Sequence, residues 1–296
     1  MKITIGIPAY NEEKNIGNLL NDIQNQKLER NILEKILIVS DNSTDKTDEI
    51  VSSFMRRYDN IQLIIRENRE GKGSALNLIF DITNSDILIL LDADIRLDKD
   101  TLNSLEKFFE KENIGLIAGN PIPYQINNLS NVAEQASFFS WILLDRIKNV
   151  SAPNLYHFHG RILAMTKKLY KNILLSDILS PGDDQSIYLS CVKNGLKTEY
   201  APNAIVFYKL PMTTKDYLKQ NIRFSIAIKE KEHKFGKSFM KQNMGDISNP
   251  LIFLDAFTRY PYKGLCWIIL YTIGKLSMVF RKQRISPLWE ISKTTK

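Results

Sequence analysis

A short, fully apolar run that ends in acidic residues is the feature that most constrains this chain. Ile87–Leu91 are five consecutive aliphatic residues, and Asp92, Ala93 and Asp94 follow them directly. An apolar run of this length with polar residues on both sides predicts a central strand that is buried on both faces of a sheet. Two carboxylates at the end of such a strand cost free energy unless a cation or hydrogen bonds compensate them.

The spacing of the two carboxylates favours a shared ligand. Residues i and i+2 of an extended segment point the same way, so we expect Asp92 and Asp94 to converge. A hard divalent cation would neutralise them, since Mg²⁺ or Mn²⁺ typically binds one or two carboxylates together with phosphate oxygens. The alternative is a solvated turn, because Asp-x-Asp is common by chance. Their location favours the ligand, because ligands of open α/β sheets bind beyond the carboxyl ends of the strands.

Strand and helix patterns alternate over about the first 120 residues, which predicts an α/β fold with a mostly parallel sheet and helices on both faces. The predicted strands are residues 2–7, 36–39, 61–65, 87–91 and 114–119. The predicted helices begin after the N-caps Asn11 and Ser43 and then cover about residues 74–80 and 99–111. Later elements are expected at 129–147, 162–165, from Asp183 onward, 198–208 and 215–232. We expect one domain over residues 1–245, with halves of about 1–120 and 121–245, and a helical tail over 246–296.

The tail contains an apolar segment, residues 264–280, which only Lys275 interrupts. A membrane-spanning helix needs about 20 apolar residues, so the segment is marginal as a span. Aromatic and basic residues flank it, as they do in helices that lie in a membrane interface. Two interpretations stay open: membrane-surface contact through residues 264–284, and a helix packed on the domain.

Composition limits the partners. The chain has 40 Lys and Arg against 33 Asp and Glu, a net charge of +7 that favours nucleotide phosphates, acidic lipid or nucleic acid. Lys and Arg occur along the whole chain without an aromatic–basic recognition motif, so we expect no nucleic-acid partner. Cys191 and Cys266 have no zinc spacing and are expected to be structural. A strand that begins at Ile3 leaves no room for a signal peptide, so we expect a cytoplasmic protein, peripheral at the inner face of the cell membrane.

Six segments carry a family resemblance. They are Ile-Pro-Ala-Tyr-Asn-Glu-Glu (7–13), Asp-Asn-Ser-Thr-Asp (41–45), Gly-Lys-Gly (71–73), Asp-Ala-Asp (92–94), Gly-Asp-Asp-Gln (182–185) and Gln-Asn-Ile-Arg-Phe (220–224). In this order and approximate spacing they resemble family 2 inverting nucleotide-sugar glycosyltransferases of the GT-A fold, over about residues 1–235. The resemblance implies transfer of a sugar from a nucleoside-diphosphate sugar to a lipid-linked or growing glycan acceptor, with Mn²⁺ or Mg²⁺ as cofactor.

The resemblance also assigns the site residues. It places the catalytic base at Asp184 beside Asp183, and the metal at Asp94 with Asp92. The residues it assigns to the nucleotide sugar are Pro8, Ala9, Tyr10, Glu12, Asp41, Lys72, Asp92, Ala93, Gln220 and Arg223. Residues 8–10 would give the nucleobase an apolar surface, and Asp41 would accept a hydrogen bond from a nucleobase N–H. Arg223 would bind the diphosphate through two hydrogen bonds.

Several residues depart from the family pattern or have a simpler interpretation. Ser40 and Asn42 stand where the family commonly has Asp and Gly, Asp183 stands for Glu and Phe224 for Trp. Asp183 and Asp184 would also suit a helix N-terminus. Surface roles fit Lys72, Arg69 and Arg223, and helix capping fits Asp41, although we expect Ser43 to provide that cap. For His159 we expect acceptor-half structure, with a ligand role left open.

Two other functions remain in view. A nucleotidyltransferase shares the sheet and the metal chemistry but would release pyrophosphate instead of nucleoside diphosphate. A non-catalytic, membrane-associated nucleotide-sugar-binding protein would bind the donor and release nothing. A polymer-extruding synthase is disfavoured, because processive members of the family carry a bundle of transmembrane helices and this chain has at most one such helix.

Overall fold

The computed structural model describes residues 1–124, 129–150, 152–173, 182–244 and 249–280. Within these ranges eight strands form one sheet. The strands are β1 (Lys2–Ala9), β2 (Ile32–Ser40), β3 (Ile61–Ile65), β4 (Ile87–Leu91), β5 (Ile95–Leu97), β6 (Ile114–Pro123), β7 (Ile162–Thr166) and β8 (Lys197–Tyr208). The helices are α1 (Ile16–Gln24), α2 (Thr47–Met55), α3 (Lys72–Ile82), α4 (Thr101–Glu106), α5 (Val132–Val150), α6 (Lys167–Tyr170), α7 (Asp183–Lys193), α8 (Thr214–Phe235), α9 (Lys237–Asn243), α10 (Pro250–Arg259) and α11 (Pro261–Phe280).

The sheet has the order β3-β2-β1-β4-β7-β6-β8-β5 and is mixed. Strands β3, β2, β1 and β4 are parallel neighbours. Strand β7 runs antiparallel between β4 and β6, and β5 runs antiparallel to β8 at the edge. Because β7 is antiparallel, its first residues lie at the same edge of the sheet as the last residues of β4. This edge is where the carboxyl ends of the parallel strands also meet.

Alternate side chains of the strands enter two separate hydrophobic cores. In β4, Ile87, Ile89 and Leu91 face the core that contains α1, α2 and α4. Leu88 and Leu90 face the core that contains α3, α6 and α7. All five are buried, because helices cover both faces of the sheet. The predicted α/β architecture, with a mostly parallel sheet, helices on both faces and a helical C-terminal region, is therefore confirmed.

The two predicted N-caps are wrong. Asn11 has a left-handed backbone, with φ of 53°, and α1 begins only at Ile16. Its side chain instead accepts a hydrogen bond from the backbone N–H of Thr44, 2.7 Å away. Helix α2 begins at Thr47, whose N–H donates to Asp45 Oδ1 at 3.0 Å. Both predictions failed because the two loops bond to each other before either helix starts.

Helices α10 and α11 pack on α5 through aromatic contacts. Phe139 of α5 lies 5.9 Å, between ring centroids, from both Phe253 and Trp267. Cys266 and Leu270 are buried against α5 and α8. Of the segment predicted to meet a membrane, residues 281–284 lie outside the described residues, as does the expected domain boundary at 245/246. Across the described part of the chain, no helix combines the length and apolarity needed to cross a membrane.

Candidate active site

An open cleft of about 1340 Å³ lies at the carboxyl edge of the parallel strands. Every residue predicted to act in catalysis, to bind the nucleotide sugar or to hold the metal lines this cleft. These residues are Pro8, Ala9, Tyr10, Glu12, Asp41, Lys72, Asp92, Ala93, Asp94, Asp183, Asp184, Gln220 and Arg223. These residues come from the ends of β1, β2 and β4 and from the starts of α3 and α7, together with the middle of α8. The fold therefore gathers residues that lie more than 200 positions apart in the sequence.

Lys72 joins the two halves of the cleft. Its Nζ lies 2.6 Å from Asp92 Oδ1, at the end of β4, and 3.4 Å from Asp183 Oδ2, at the start of α7. Burial alone would lower the pKa of Lys72, but the charges of Asp183 and Asp92 outweigh burial and raise it. Lys72 is therefore a fixed positive charge. The sequence left open a surface role for Lys72. That interpretation is wrong, because the side chain is only 17% exposed and lies between two carboxylates.

Asp184 is oriented by backbone groups. Its Oδ2 accepts a hydrogen bond from the N–H of Gly160 at 2.9 Å, and its Oδ1 accepts one from its neighbour Gln185 at 2.8 Å. Burial and the nearby charge of Asp183 raise the pKa of Asp184 to about 6. The carboxylate is thus held in one orientation with a proton affinity suited to a general base near neutral pH.

Asp94 has an acidic environment that a cation would relieve. Burial, the charge of Asp92 and the charge of Glu12 raise its pKa to about 6. Among the described residues it makes no hydrogen bond or ion pair, whereas Asp92 is already paired with Lys72. No three His, Cys, Asp or Glu side chains of the described ranges form a complete metal cluster. Two carboxylates facing an open cleft fit Mg²⁺ or Mn²⁺ whose remaining ligands are phosphate oxygens and water.

Asp41 organises the loop that precedes α3. Its carboxylate accepts hydrogen bonds from the N–H groups of Glu70, at 2.9 Å, and Gly71, at 2.7 Å, and it pairs with Arg66 at 3.3 Å. Ser43 does not cap α2, as described above, and Asp41 is not a cap either. Three of about four acceptor positions of the carboxylate are used, which leaves one for a ligand N–H. The contact of Asp41 with a nucleobase N–H stays a prediction.

Charged side chains line the regions of the cleft that are predicted to bind the nucleobase and the diphosphate. The guanidinium carbon of Arg69 lies 3.9 Å from the ring centroid of Tyr10, so Arg69 covers one face of the predicted base surface. On α8, burial lowers the pKa of Arg223 while the charges of Asp183 and Asp184 raise it. Arg223 therefore faces the acidic centre, and the interpretation as a solvated helix face does not hold.

The segment just before β7 brings three residues to the cleft: Gly160 and Arg161, to which the sequence assigned no role, and His159, for which a ligand role was left open. Gly160 lies so close to the centre that a Cβ there would be 3.3 Å from Lys72 Nζ. The guanidinium of Arg161 stacks 3.7 Å from the ring centroid of Tyr208, and its charge lowers the pKa of Asp94 against the larger effect of burial. His159 lines the cleft, and burial keeps its pKa well below the ordinary value. Their place depends on β7 pairing with β4, for which the sequence carries no local signal.

Residues 4–174 match the family described as Glycosyl transferase family 2. The chain is similar to the probable glycosyltransferase YdaM of Bacillus subtilis, with 26% identity over 253 residues, 81% of this chain and 58% of the relative. It is similarly 26% identical to the poly-beta-1,6-N-acetyl-D-glucosamine synthase of Staphylococcus aureus over 227 residues, 75% of this chain and 53% of that protein. The chain thus spans just over half the length of these curated relatives.

Two solved structures share the fold. The mannosyltransferase PcManGT from Pyrobaculum calidifontis, in complex with GDP-Man and Mn²⁺, superposes with a TM-score of 0.61 at 18% identity and covers 93% of this chain and 75% of its own. Residues 1–349 of S. aureus TarS, in complex with UDP-GlcNAc, give a TM-score of 0.54 at 16% identity and cover 96% and 93%. Asp183 and Asp184 of α7 and Arg223 of α8 lie beyond the matched residues 4–174, so the roles predicted for them depend on the geometry.

We expect Lys72→Met to destabilise the fold, because it leaves Asp92 and Asp183 without their shared cation. The carboxylates are partly exposed, so the expected loss is about 1–3 kcal/mol in urea unfolding, below the loss for a fully buried pair. Lys72→Arg keeps the charge and should lose less. The matched control is Lys168→Met at an exposed position of α6. Equal stability of the Lys72→Met and Lys168→Met proteins would contradict the bridging role.

Proposed function

The chain belongs to glycosyl transferase family 2, and we propose that it transfers a sugar from a nucleoside-diphosphate sugar to an acceptor hydroxyl with inversion at the anomeric carbon. The observation that carries this proposal is the orientation of Asp184 by two backbone N–H groups, in the same cleft as the acidic pair Asp92 and Asp94. One face of the cleft suits a diphosphate and a cation, and the other carries a base. Non-processive transfer, with one sugar added per encounter, stays a prediction.

The proposed reaction needs one proton acceptor and a stabilised leaving group. The acceptor oxygen attacks the anomeric carbon while the bond from that carbon to the diphosphate oxygen breaks and its electron pair leaves with the diphosphate. Asp184 takes the proton of the attacking hydroxyl. Arg223 and Lys72 supply fixed positive charge beside the departing diphosphate. Attack from the face opposite the leaving group inverts the anomeric centre.

The metal fits the residues that are present. Asp94, which makes no ion pair among the described residues, would hold Mn²⁺ or Mg²⁺ with help from Asp92. A bound divalent cation supplies Lewis-acid stabilisation of the leaving diphosphate. The complex of PcManGT with Mn²⁺ supports a divalent cation in this fold.

The first donors to test are those named with the structural neighbours, UDP-GlcNAc and GDP-Man. Each is incubated with the protein, Mn²⁺ and candidate acceptors, and the nucleotide product is identified. Release of nucleoside diphosphate together with a glycosylated acceptor supports the proposal. Release of pyrophosphate would instead make the chain a nucleotidyltransferase, and binding without release would make it a binding protein.

The C-terminal third favours contact with an anionic membrane surface. Lys and Arg occur along the whole chain, but the positive net charge is concentrated near its C-terminal end. Residues 209–296 carry 17 Lys and Arg against 6 Asp and Glu, whereas residues 1–208 carry 23 against 27. Large aliphatic side chains on the same helices face solvent, namely Leu251, Leu254, Leu265, Ile268, Ile269, Ile273 and Leu276. An apolar helix face with a basic surround is typical of interfacial helices, and each basic residue near an anionic surface adds about 1 kcal/mol.

We expect Asp94→Ala to abolish the metal dependence of donor binding, because it removes the carboxylate that is available for the cation. Calorimetry of nucleoside diphosphate with and without Mn²⁺ measures the effect. Asp100→Ala, at an exposed position outside the cleft, is the control and should bind like the parent. If folded Asp94→Ala protein keeps the parental affinity with Mn²⁺, the metal assignment is wrong.

We expect Asp184→Asn to slow transfer by about 10²–10⁴-fold at saturating donor, with donor affinity nearly unchanged, because the amide cannot take a proton. Asp183→Asn should lose less. The parental rate should fall as the pH drops below about 6, where Asp184 becomes protonated, and the residual rate of Asp184→Asn should lack this limb.

The new amide NH₂ of Asp184→Asn would face one of the two backbone N–H groups that donate to Asp184, and two donors cannot bond to each other. The stability of Asp184→Asn and of Asp183→Asn must therefore be measured beside transfer. Asp184→Asn protein that is folded and transfers at the parental rate would place the base elsewhere.

We expect the double variant Leu265→Glu/Ile269→Glu to lose binding to phosphatidylglycerol-containing vesicles in flotation. Both side chains are more than half exposed, and they lie four residues apart on one face of α11. The control, Ile32→Glu/Ile65→Glu, changes two side chains of the sheet that are also more than half exposed and should float like the parent. These substitutions are preferable to truncation, which would remove the aromatic packing on α5. Parental protein that ignores anionic vesicles would exclude membrane contact.

A further inference from the structure

Gln185 follows Asp184 in α7, and its side-chain amide makes no hydrogen bond to the described residues. The residue lines the cleft and is only 5% exposed, yet no donor in the described ranges reaches its buried Oε1. A buried amide oxygen without a donor costs free energy, because it has lost its water and gained no bond in exchange. At the edge of a cleft, such an atom points to a donor that arrives with the substrate.

The other buried amide oxygens that lack a donor among the described residues differ from that of Gln185. In each of them the NH₂ group of the same amide is bonded. They are Asn103, which donates to Glu29 Oε1, Asn120, which donates to the carbonyl of Pro202, and Gln135, which donates to the carbonyl of Leu129, each at 3.0 Å. These amides have structural bonds and do not line the cleft, whereas Gln185 lines it and has none within the described chain.

The first turn of α7 points its side chains in different directions. Asp183 faces Lys72, with 3.4 Å between Oδ2 and Nζ. Successive residues of a helix are about 100° apart, so Gln185 lies about 200° further round the helix and points away from Lys72. A Cβ at Gly182 would lie 2.9 Å from Gln185 Oε1 and 3.1 Å from the Cβ of Ala227, which places the amide beside α8.

Asp184 lies between these two directions. Its Oδ1 accepts a hydrogen bond from the backbone N–H of Gln185 at 2.8 Å, so the carboxylate lies over the start of the next residue. An acceptor whose hydroxyl meets Asp184 therefore has its neighbouring atoms close to the amide of Gln185, on the side away from Lys72 and the proposed diphosphate region.

A neutral amide fits this position better than a carboxylate. Asp183 and Asp184 already place two negative charges in the first turn of α7, and a third beside them would be unfavourable. The amide of Gln185 offers an oxygen that accepts an O–H without adding charge. The residue type therefore suits recognition of a hydroxyl next to the proposed base.

We propose that Gln185 determines acceptor specificity: its amide binds a second hydroxyl of the acceptor, on the carbon next to the one that carries the attacking hydroxyl. This inference rests on the proposed transfer reaction and deepens it by naming a residue that selects the acceptor. The second hydroxyl donates to Oε1, and the flexible side chain turns from Gly182 toward the molecule in the cleft. The acceptor is then a 1,2-diol, and an alcohol with one hydroxyl is a poorer substrate.

Unfolding tests whether the amide has a structural partner. Gln185→Met keeps the length and flexibility of the side chain but removes the amide. We expect its urea midpoint to equal or exceed that of the parent, because an apolar side chain needs no partner when buried. The matched control, Gln135→Met, also loses the bond to Leu129 and should unfold at lower urea. A midpoint of Gln185→Met as low as that of Gln135→Met would contradict the proposal.

Binding is measured with cis- and trans-1,2-cyclohexanediol, and with cyclohexanol as the probe that lacks the second hydroxyl. In protein labelled with nitrogen-15 in glutamine, the side-chain amide signal that is missing in Gln185→Met identifies Gln185. With Mg²⁺ and UDP or GDP present, we expect a diol, but not cyclohexanol, to shift this signal. Ligand-observed NMR should give an affinity for that diol about fivefold or more above that for cyclohexanol. Gln135→Met should keep this ratio, and Gln185→Met should bind both probes about equally.

Other results overturn the proposal in defined ways. A Gln185 signal that neither diol moves would show that the amide does not bind a second hydroxyl. Gln185→Met protein that still prefers the diol would assign that hydroxyl to another group. A signal that moves with nucleotide alone, and not further with diol, would place the amide at the donor.

A transfer assay separates this proposal from the function on which it rests. With a donor that the protein turns over, the parent should use the diol with a kcat/KM about fivefold or more above that for cyclohexanol, chiefly through KM. Gln185→Met should lose this preference. Turnover that ignores the second hydroxyl contradicts the role of Gln185 and leaves the transferase intact. Absence of turnover with any donor contradicts the transferase, whereas unfolding and NMR still decide whether Gln185 binds a diol.

Discussion

The ammonium group of Lys72 holds the two halves of the cleft together. It bonds to the carboxylate that ends β4 and to a carboxylate that begins α7, more than 90 residues later in the chain. Without this cation, the convergence of Asp92, Asp94, Asp183 and Asp184 in a partly buried space would be strongly unfavourable. The positions of the proposed base and of the proposed metal-binding carboxylates therefore depend on one another through Lys72.

Sheet topology explains why these charges meet at all. Parallel strands β1, β2 and β4 end at one edge, where their polar termini reach the cleft. Antiparallel β7 begins at that edge beside β4, which brings the N–H of Gly160 to Asp184 and the guanidinium of Arg161 near Asp94. A fully parallel sheet would have placed the start of β7 at the opposite edge. The antiparallel strand thus completes the candidate active site.

The sequence predicted the parts of the fold that local patterns determine. The apolar runs of β1 to β4 identified their strands, and the acidic residues after β4 indicated the site. The caps predicted at Asn11 and Ser43 were wrong, and the short strand β5 and the pairing of β7 were missed, because each depends on contacts between distant segments. The same holds for Arg66, whose contact with Asp41 becomes visible only once β2 and the loop before α3 are adjacent. The residue types indicated the chemistry of the candidate site, whereas the orientation of its side chains became visible only in the tertiary structure.

The helices after β8 extend this dependence to the C-terminal part of the chain. Helix α8 carries Arg223 beside the acidic residues Asp183 and Asp184 and packs Leu218 against α11, so one helix contacts both the acidic residues and the C-terminal helices. Helices α10 and α11 are held on α5 by stacked aromatic rings and leave aliphatic side chains in solvent. A surface that buries one face of α11 and exposes another can bind a membrane without loss of the packing that shapes the cleft. The proposed membrane contact and the shape of the cleft would then depend on the same pair of helices.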